Sequence, residues 1–175
     1  MSQKPTILVV DDEPAVRASL RRLFAREQYA VLEAGGVQEA IMSMGTAQVD
    51  LVITDYAMPD GTGLDLLLML KQRYPHVVRM IITGKADLNA VIAAINDGHV
   101  YRFVLKPWDN EDLCLSVRLA LEQAKLLSEK RELVGRLEDQ ERTLRTLAKQ
   151  YPGITAVDWD ADGAIVLDDP DEEAA

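Results

Sequence analysis

Five polar side chains stand where short apolar runs stop, and their types could work together. Asp11 and Asp12 follow Ile7-Leu8-Val9-Val10, and Asp55 follows Leu51-Val52-Ile53-Thr54. Thr83 ends the run from Val77 to Ile82, and Lys106 ends the run from Tyr101 to Leu105. Three carboxylates within a few ångströms repel one another, so gathering them is costly unless a cation neutralises them. Magnesium suits such a set: it is a hard ion that takes a few oxygen ligands, keeps waters and accepts a phosphate oxygen. A hydroxyl and an ammonium would join the carboxylates from two further run ends.

The elements that must position these residues follow an alternating pattern. After the first run, Val16, Leu20, Leu23 and Phe24 repeat at helical spacing, with Pro14 tolerated in the first turn. Tyr29 to Leu32 reads as a second strand, and Gly35-Gly36 leads into a helical stretch from Val37 to Met44. Met58-Pro59-Asp60-Gly61 carries turn chemistry after the third strand, and Leu64 to Leu70 reads as the helix behind it. Leu88 to Ile95 supplies a fourth helix before the fifth strand, which ends at Lys106-Pro107. Strands alternating with helices specify a parallel sheet covered on both faces, and nearly unbroken apolar runs are what such strands need. In an open sheet of this kind the ligand site lies at the carboxyl ends of the strands, where the five polar residues fall. The expected class is α/β, with a five-stranded parallel, doubly wound sheet.

From Asp109 onward the pattern changes. A single helix from there to the break at Tyr151-Pro152-Gly153 would extend about 60 Å at 1.5 Å per residue, more than the width of the domain it leaves. Its first part, through Leu121, can pack on the sheet. Beyond it runs a seam in steps of four and three: Leu119, Gln123, Leu126, Lys130, Leu133, Leu137, Gln140, Leu144 and Leu147, flanked by Glu, Arg and Lys. Gln and Lys in such a seam fit a dimer or a wet surface better than a dry core. A homodimer by a two-stranded coiled coil through residues 119–147 is therefore expected, with an exposed amphipathic helix folded back on its own domain as the alternative. After Gly153, two β-prone runs flank Asp160-Ala161-Asp162-Gly163, which is a hairpin signal. The expected division is a sheet domain over 1–122, a helical extension with a coiled coil over 123–150, and an acidic tail with a β-hairpin over 151–175.

Composition narrows the classes of function. The chain has 175 residues, 48% hydrophobic and 27% charged, enough for one core and an appendage. Its 29 acidic and 19 basic residues give a net charge of -10, which argues against nucleic acid and anionic membranes as default partners. Eight of the acids and no Lys or Arg lie in residues 151–175, so the first 150 residues are nearly neutral, with 21 acidic against 19 basic. The single cysteine, Cys114, excludes an intrachain disulfide and a Cys-rich zinc site, in keeping with a reducing compartment. No secretory signal opens the chain, and no run of about 18 apolar residues offers a membrane span, so a cytoplasmic protein is expected.

The constellation resembles the CheY-like receiver domain of response regulators in two-component signal transduction, over roughly residues 4–122. The matching motifs are Val9-Val10-Asp11-Asp12-Glu13, Ile53-Thr54-Asp55-Tyr56-Ala57-Met58-Pro59-Asp60-Gly61, Ile82-Thr83-Gly84 and Lys106-Pro107-Trp108. The resemblance implies a flavodoxin-like receiver fold and a phosphoprotein of a phosphorelay. Asp55 would accept a phosphoryl group from a sensor histidine kinase or a histidine phosphotransfer protein. Asp11, Asp12, Asp55 and the backbone carbonyl of Ala57 would hold Mg2+. Lys106 would pair with Asp55 and then with a phosphate oxygen, and Thr83 would donate its hydroxyl to the phosphate. Gly84 would leave room for the modified side chain, and Phe103, three residues before the lysine, would couple to Thr83 as a switch. Such a chain would catalyse only its own phosphorylation and dephosphorylation, and would pass the signal to a dimer or to a downstream partner the sequence does not name. A helix-turn-helix needs several short helices and basic residues, which about 53 residues, mostly one charged helix and an acidic end, do not supply.

Two other classes stand beside this one. An aspartyl-nucleophile phosphohydrolase would usually place Asp-x-Asp after the first strand, where this chain has adjacent Asp11 and Asp12. A phosphorylation-independent assembly protein acting through its coiled coil would have no physical reason to keep mutually repelling carboxylates. Arg17, Arg21, Arg22 and Arg26 read as a solvated basic helix face, His76 and His99 as surface histidines, and Cys114 as a partly buried, inert thiol. Asp158 to Ile165 matches part of an EF-hand calcium loop, but β-prone Ile154 to Val157 and Pro170 stand where its helices should be, so a hairpin turn is the better reading.

Overall fold

Four consecutive β-branched or leucine residues at Ile7 to Val10 can be buried on both sides only if other layers cover both faces of a sheet, and that is what they meet. A computed structural model describes residues 4–84, 88–97, 99–150, 158–159 and 165–166. In chain order its elements up to residue 150 are β1 (Thr6–Val10), α1 (Pro14–Arg26), β2 (Ala30–Ala34), α2 (Val37–Thr46), β3 (Leu51–Asp55), β4 (Ala57–Met58), β5 (Gly61–Thr62), α3 (Gly63–Arg73), β6 (Val78–Thr83), α4 (Leu88–Asn96), β7 (Arg102–Leu105) and the long helix α5 (Asn110–Gln150). β1, β2, β3, β6 and β7 form one sheet in the order β2-β1-β3-β6-β7, and every neighbouring pair is parallel.

That order reverses direction between β1 and β3, which makes a crevice at their carboxyl ends. Two apolar layers fill the faces. Leu8, Val10, Val52 and Ile81 meet α2, α3 and α4 through Ala40, Leu66, Leu67 and Val91 on one side. Ile7, Val9, Ile53 and Met80 meet α1 and α5 through Leu20, Phe24, Leu113 and Val117 on the other. Alternate residues of each strand therefore serve opposite layers, as the pleat requires.

The helices start and stop for local reasons. Pro14 opens α1 at a position whose N–H would have no helical partner. The Thr62 hydroxyl accepts from Asp65 N at 3.1 Å to cap α3, and the Asp109 carboxylate accepts from Glu111 N and Asp112 N to cap α5. A short antiparallel ribbon, β4 against β5, stands where turn chemistry alone was expected between β3 and α3.

The chain divides into two compact units, Met1–Glu129 and Lys130–Ala175. Within the first, Ala124 is buried and Leu127 packs against the α1–α5 layer, so the apolar contacts of α5 run past residue 122. Within the second, Leu133, Val134, Leu137, Leu144 and Leu147 are exposed. Two short strands, β8 (Asp158–Trp159) and β9 (Ile165–Val166), pair antiparallel with Asp158 opposite Val166. The Asp160–Gly163 turn, the matched positions of the calcium loop between those strands and the last residues, 168–175, lie outside the described residues. Among the described residues no helix is long and apolar enough to cross a membrane.

Candidate functional site

The strand order brings β1 and β3 side by side, so the residues at their ends meet. Asp11 directly follows β1 and is only 2% exposed, while Asp55 closes β3 and is half-buried. Lys106 follows β7, and its Nζ lies 2.6 Å from Asp55 Oδ1 and 3.2 Å from Asp11 Oδ2. One ammonium thus joins two carboxylates that come from residues 44 apart in the chain.

Each partner is held by its own backbone. The second Asp55 oxygen accepts from Ala57 N at 3.2 Å, and Asp11 Oδ1 accepts from Glu13 N at 2.8 Å. Lys106 N donates to the Thr83 carbonyl at 2.9 Å, and the Lys106–Pro107 peptide is cis. Gly63, the first residue of α3, lies so close to the Asp55 carbonyl that an added Cβ would stand 2.0 Å from that oxygen. Only glycine lets α3 begin there.

Burial pushes the Asp11 carboxyl above the ordinary aspartate value, with the Glu13 N–H and the Lys106 charge opposing it and the Asp55 charge adding to it. Burial pulls Lys106 down, but its hydrogen bond to Asp55 and the charges of Asp11 and Asp55 outweigh that, so its pKa ends raised. Their shared contact favours the charged pair at both ends, and burial outweighs it only at Asp11. The rise at Lys106 follows from two short contacts, and the rise at Asp11 from the loss of water around a carboxylate with few donors.

Other expected residues are arranged differently. Asp12 is exposed, and among the described residues no three His, Cys, Asp or Glu side chains form a group that could hold a metal ion. Asp11 and Asp55 are gathered, and the lysine is the cation between them. All the candidate donors are carboxylate or carbonyl oxygens, a set that fits Mg2+ and not a softer metal. Thr83 is fully buried and its hydroxyl donates to the Gly84 carbonyl at 3.1 Å, not to Asp55. Gly84 has open space where a Cβ would be, Phe103 is half-buried against the α2–α3–α4 layer, and Ala57 and Pro107 are exposed.

Residues 7–118 match the family of the response regulator receiver domain. The chain belongs to that family. It is 34% identical over 151 residues to the hydrogenase transcriptional regulatory protein HoxA of Cupriavidus necator, covering 86% of this chain and 31% of that protein. The chain spans roughly a quarter to a third of the length of the curated relatives it matches. Among solved structures, the signal receiver domain of an HD domain-containing protein from Pseudomonas fluorescens superposes with a TM-score of 0.69 at 34% identity, covering 74% of this chain and 95% of that one. The response regulator protein TrrA of Thermotoga maritima, solved in complex with Mg2+-BeF, has a TM-score of 0.59 at 25% identity, covering 66% of this chain and 98% of that one. The fold is therefore the flavodoxin-like receiver fold, with a long helix after it.

Two residues of this receiver were not legible as parts of the site. Arg17 is not simply part of a solvated face: its Nη1 donates to the Asp11 carbonyl at 2.6 Å, and Glu33 stands 3.9 Å from its Nε. Its place in the first turn of α1, six residues after Asp11, is the only sequence signal. Asp60 accepts from Val37 N at 3.1 Å and from Gln38 N at 3.0 Å, a contact across 22 or more residues that no local period announces. The thiol of Cys114 is half-buried and raised by that burial, and His99 Nδ1 lies 3.1 Å from Lys71 Nζ.

Proposed function

We propose that this receiver accepts a phosphoryl group on Asp55 from a phosphohistidine of a sensor kinase or a phosphotransfer protein. The observation that carries the reading is the Lys106 ammonium held between Asp55 and Asp11 at the β1–β3 crevice. A carboxylate oxygen of Asp55 attacks phosphorus, the P–N bond to the donor imidazole breaks, and the imidazole keeps the electron pair and takes up a proton. Carboxylate is a weak nucleophile, but phosphoryl transfer asks mainly for alignment and charge neutralisation.

Asp11, Asp12, Asp55 and the Ala57 carbonyl would hold Mg2+, which when bound neutralises charge on the phosphoryl oxygens. Lys106 stays with Asp55 and donates to a phosphate oxygen as its new partner. Thr83 turns its hydroxyl from the Gly84 carbonyl to the phosphoryl group, Gly84 leaves space beside it, and Phe103 repacks in response. Phe has no hydroxyl, so its signal is read through apolar contact.

The same reading divides the chain into a receiver (1–122), a helical extension (123–150) and an acidic tail (151–175). It joins two copies through the 119–147 seam, with a cytoplasmic location, no chemistry beyond the receiver's own phosphorylation and dephosphorylation, and neither nucleic acid nor membrane as a partner. Exposure of Leu126, Leu133, Leu137 and Leu144 supports the dimer. Incubation with a small acyl phosphate and Mg2+, read by intact mass, should add one phosphoryl group, and Asp55→Asn should abolish the gain. A mass gain retained in Asp55→Asn would overturn the acceptor, and continuous turnover of a phosphoester would favour the hydrolase class instead.

A further inference from the structure

We infer that Asp60 is a positioning residue, whose carboxylate ties the loop after Asp55 to the start of α2 and so fixes the Ala57 carbonyl for a divalent cation. The inference rests on the metal-assisted reading above and names a residue outside its ligand set. Apart from Asp60, the loop from Tyr56 to Thr62 is held by a ribbon of two residue pairs, Ala57 with Thr62 and Met58 with Gly61, and by bonds at its ends. Those bonds run from Tyr56 N to the Ile82 carbonyl, Ala57 N to Asp55 Oδ2 and Gly63 N to the Tyr56 carbonyl, and none of them involves the tip. Asp60 lies in the turn that joins the two strands of that ribbon, so a shift at its tip tilts Ala57.

The partner on α2 is complementary. The first N–H groups of a helix have no intrahelical acceptor, and the residue before α2, Gly36, has no side chain to supply one. Both oxygens of Asp60 do so instead, each taking one N–H. Those two N–H groups, Gln38 first and then Val37, hold the carboxyl below the usual aspartate range, so the contact favours the charged form.

Gly36 marks the fit from the other side. Its φ of 176° is extended backbone that any residue adopts, so no left-handed turn demands glycine here. A Cβ at that position would instead fall 2.6 Å from both carboxylate oxygens of Asp60. Gly36→Ala should therefore expel the carboxylate without straining its own backbone. Gly61, next to Asp60, has a φ of 150° and faces Val37, whose Cγ2 lies 3.2 Å from where its Cβ would be. The loop tip and the start of α2 are thus shaped to each other at two consecutive residues.

The test is calorimetric titration of the full chain with magnesium chloride. Groups that orient metal ligands from behind typically change affinity by about 10–100-fold when removed. Asp60→Ala and Gly36→Ala should each weaken Mg2+ binding about tenfold, and Asp60→Asn, which keeps one acceptor oxygen, should weaken it less. Asp50→Ala is the structural comparison: it removes a carboxylate that accepts from Thr6 N at 2.8 Å, at the start of β1. It should lower the melting temperature and leave Mg2+ affinity unchanged. Wild-type affinity in folded Asp60→Ala, or in Gly36→Ala should Asp60→Ala fail to fold, would overturn the role of Asp60 alone. A wild-type chain that takes up no Mg2+ would overturn the metal reading with it.

Discussion

The two halves of α5 carry the same apolar spacing to opposite ends. In the first half Leu113, Val117, Ala120, Leu121 and Ala124 fall at helical intervals, and every one is buried against the layer built on Ile7, Val9, Ile53 and Met80. In the second half Leu133, Leu137, Leu144 and Leu147 repeat with equal regularity, and their exposures are 54%, 64%, 65% and 38%. An amphipathic pattern states that a face needs covering and not what covers it. The first half is covered by its own unit. The second offers the same face together with exposed pairs within the helix such as Arg145 with Glu141, which contribute only a few tenths of a kcal/mol each and cannot account for a helix of this length.

The sharpest way to break this contrast is to damage each half in turn. Leu113→Ala removes a fully buried side chain from a packed layer and should cost about 3 kcal/mol of receiver stability in urea unfolding. It should leave any association constant unchanged. Leu137→Asp does the reverse: a charge on an exposed seam costs the folded monomer nothing by burial, but in a paired seam it is desolvated. Sedimentation equilibrium should show dimer affinity lowered about 30-fold, with the unfolding midpoint of the receiver unmoved. A wild-type chain that sediments as a monomer at all concentrations would show that the exposed half has no second copy as its cover.

Much of this was readable in the residues. The strands were legible because burial on both faces leaves nearly unbroken runs, and their ends named Asp11, Asp55 and Lys106 before any geometry. Boundaries moved by a residue or two: β6 includes Thr83 and β2 starts at Ala30, because pairing with a neighbour and not hydropathy sets where a strand ends. Contacts made by side-chain direction were not readable. Thr83 stands at the expected strand end, yet its hydroxyl goes to the Gly84 carbonyl, an acceptor one residue away. Arg17 belongs by period to a charged helix face, and its length lets it reach the Asp11 backbone instead. Asp60 had every mark of a turn residue, and its work as a cap for α2 depends on the fold bringing residues 36 to 38 to it. Local patterns report local needs, and these three contacts depend on rotamer or topology.

Asp11 is the counterpart, inside the receiver, of the exposed leucines: a group the isolated fold does not want. Its carboxyl is buried and raised above the ordinary value, so folding disfavours its charged form. The direction fixes the pH dependence. A carboxyl raised in the folded state lowers stability wherever it is ionised, and that penalty fades as pH falls through the folded pKa and is gone below the unfolded value of about 4. Asp11→Asn should therefore raise the melting temperature at pH 7, and the gain should vanish below about pH 4. The substitution does not strand the lysine, because Asp55 still holds Lys106 at 2.6 Å. Thermal unfolding from pH 3.5 to 8 decides the matter. A loss of stability at pH 7 would mean that the Asp11–Lys106 contact outweighs burial, and Asp11 would then belong with Leu113 among the residues that hold the receiver together. A gain that grows with pH would mean that burial outweighs the Lys106 contact, so that the ionised Asp11 lowers the stability of the folded receiver at neutral pH.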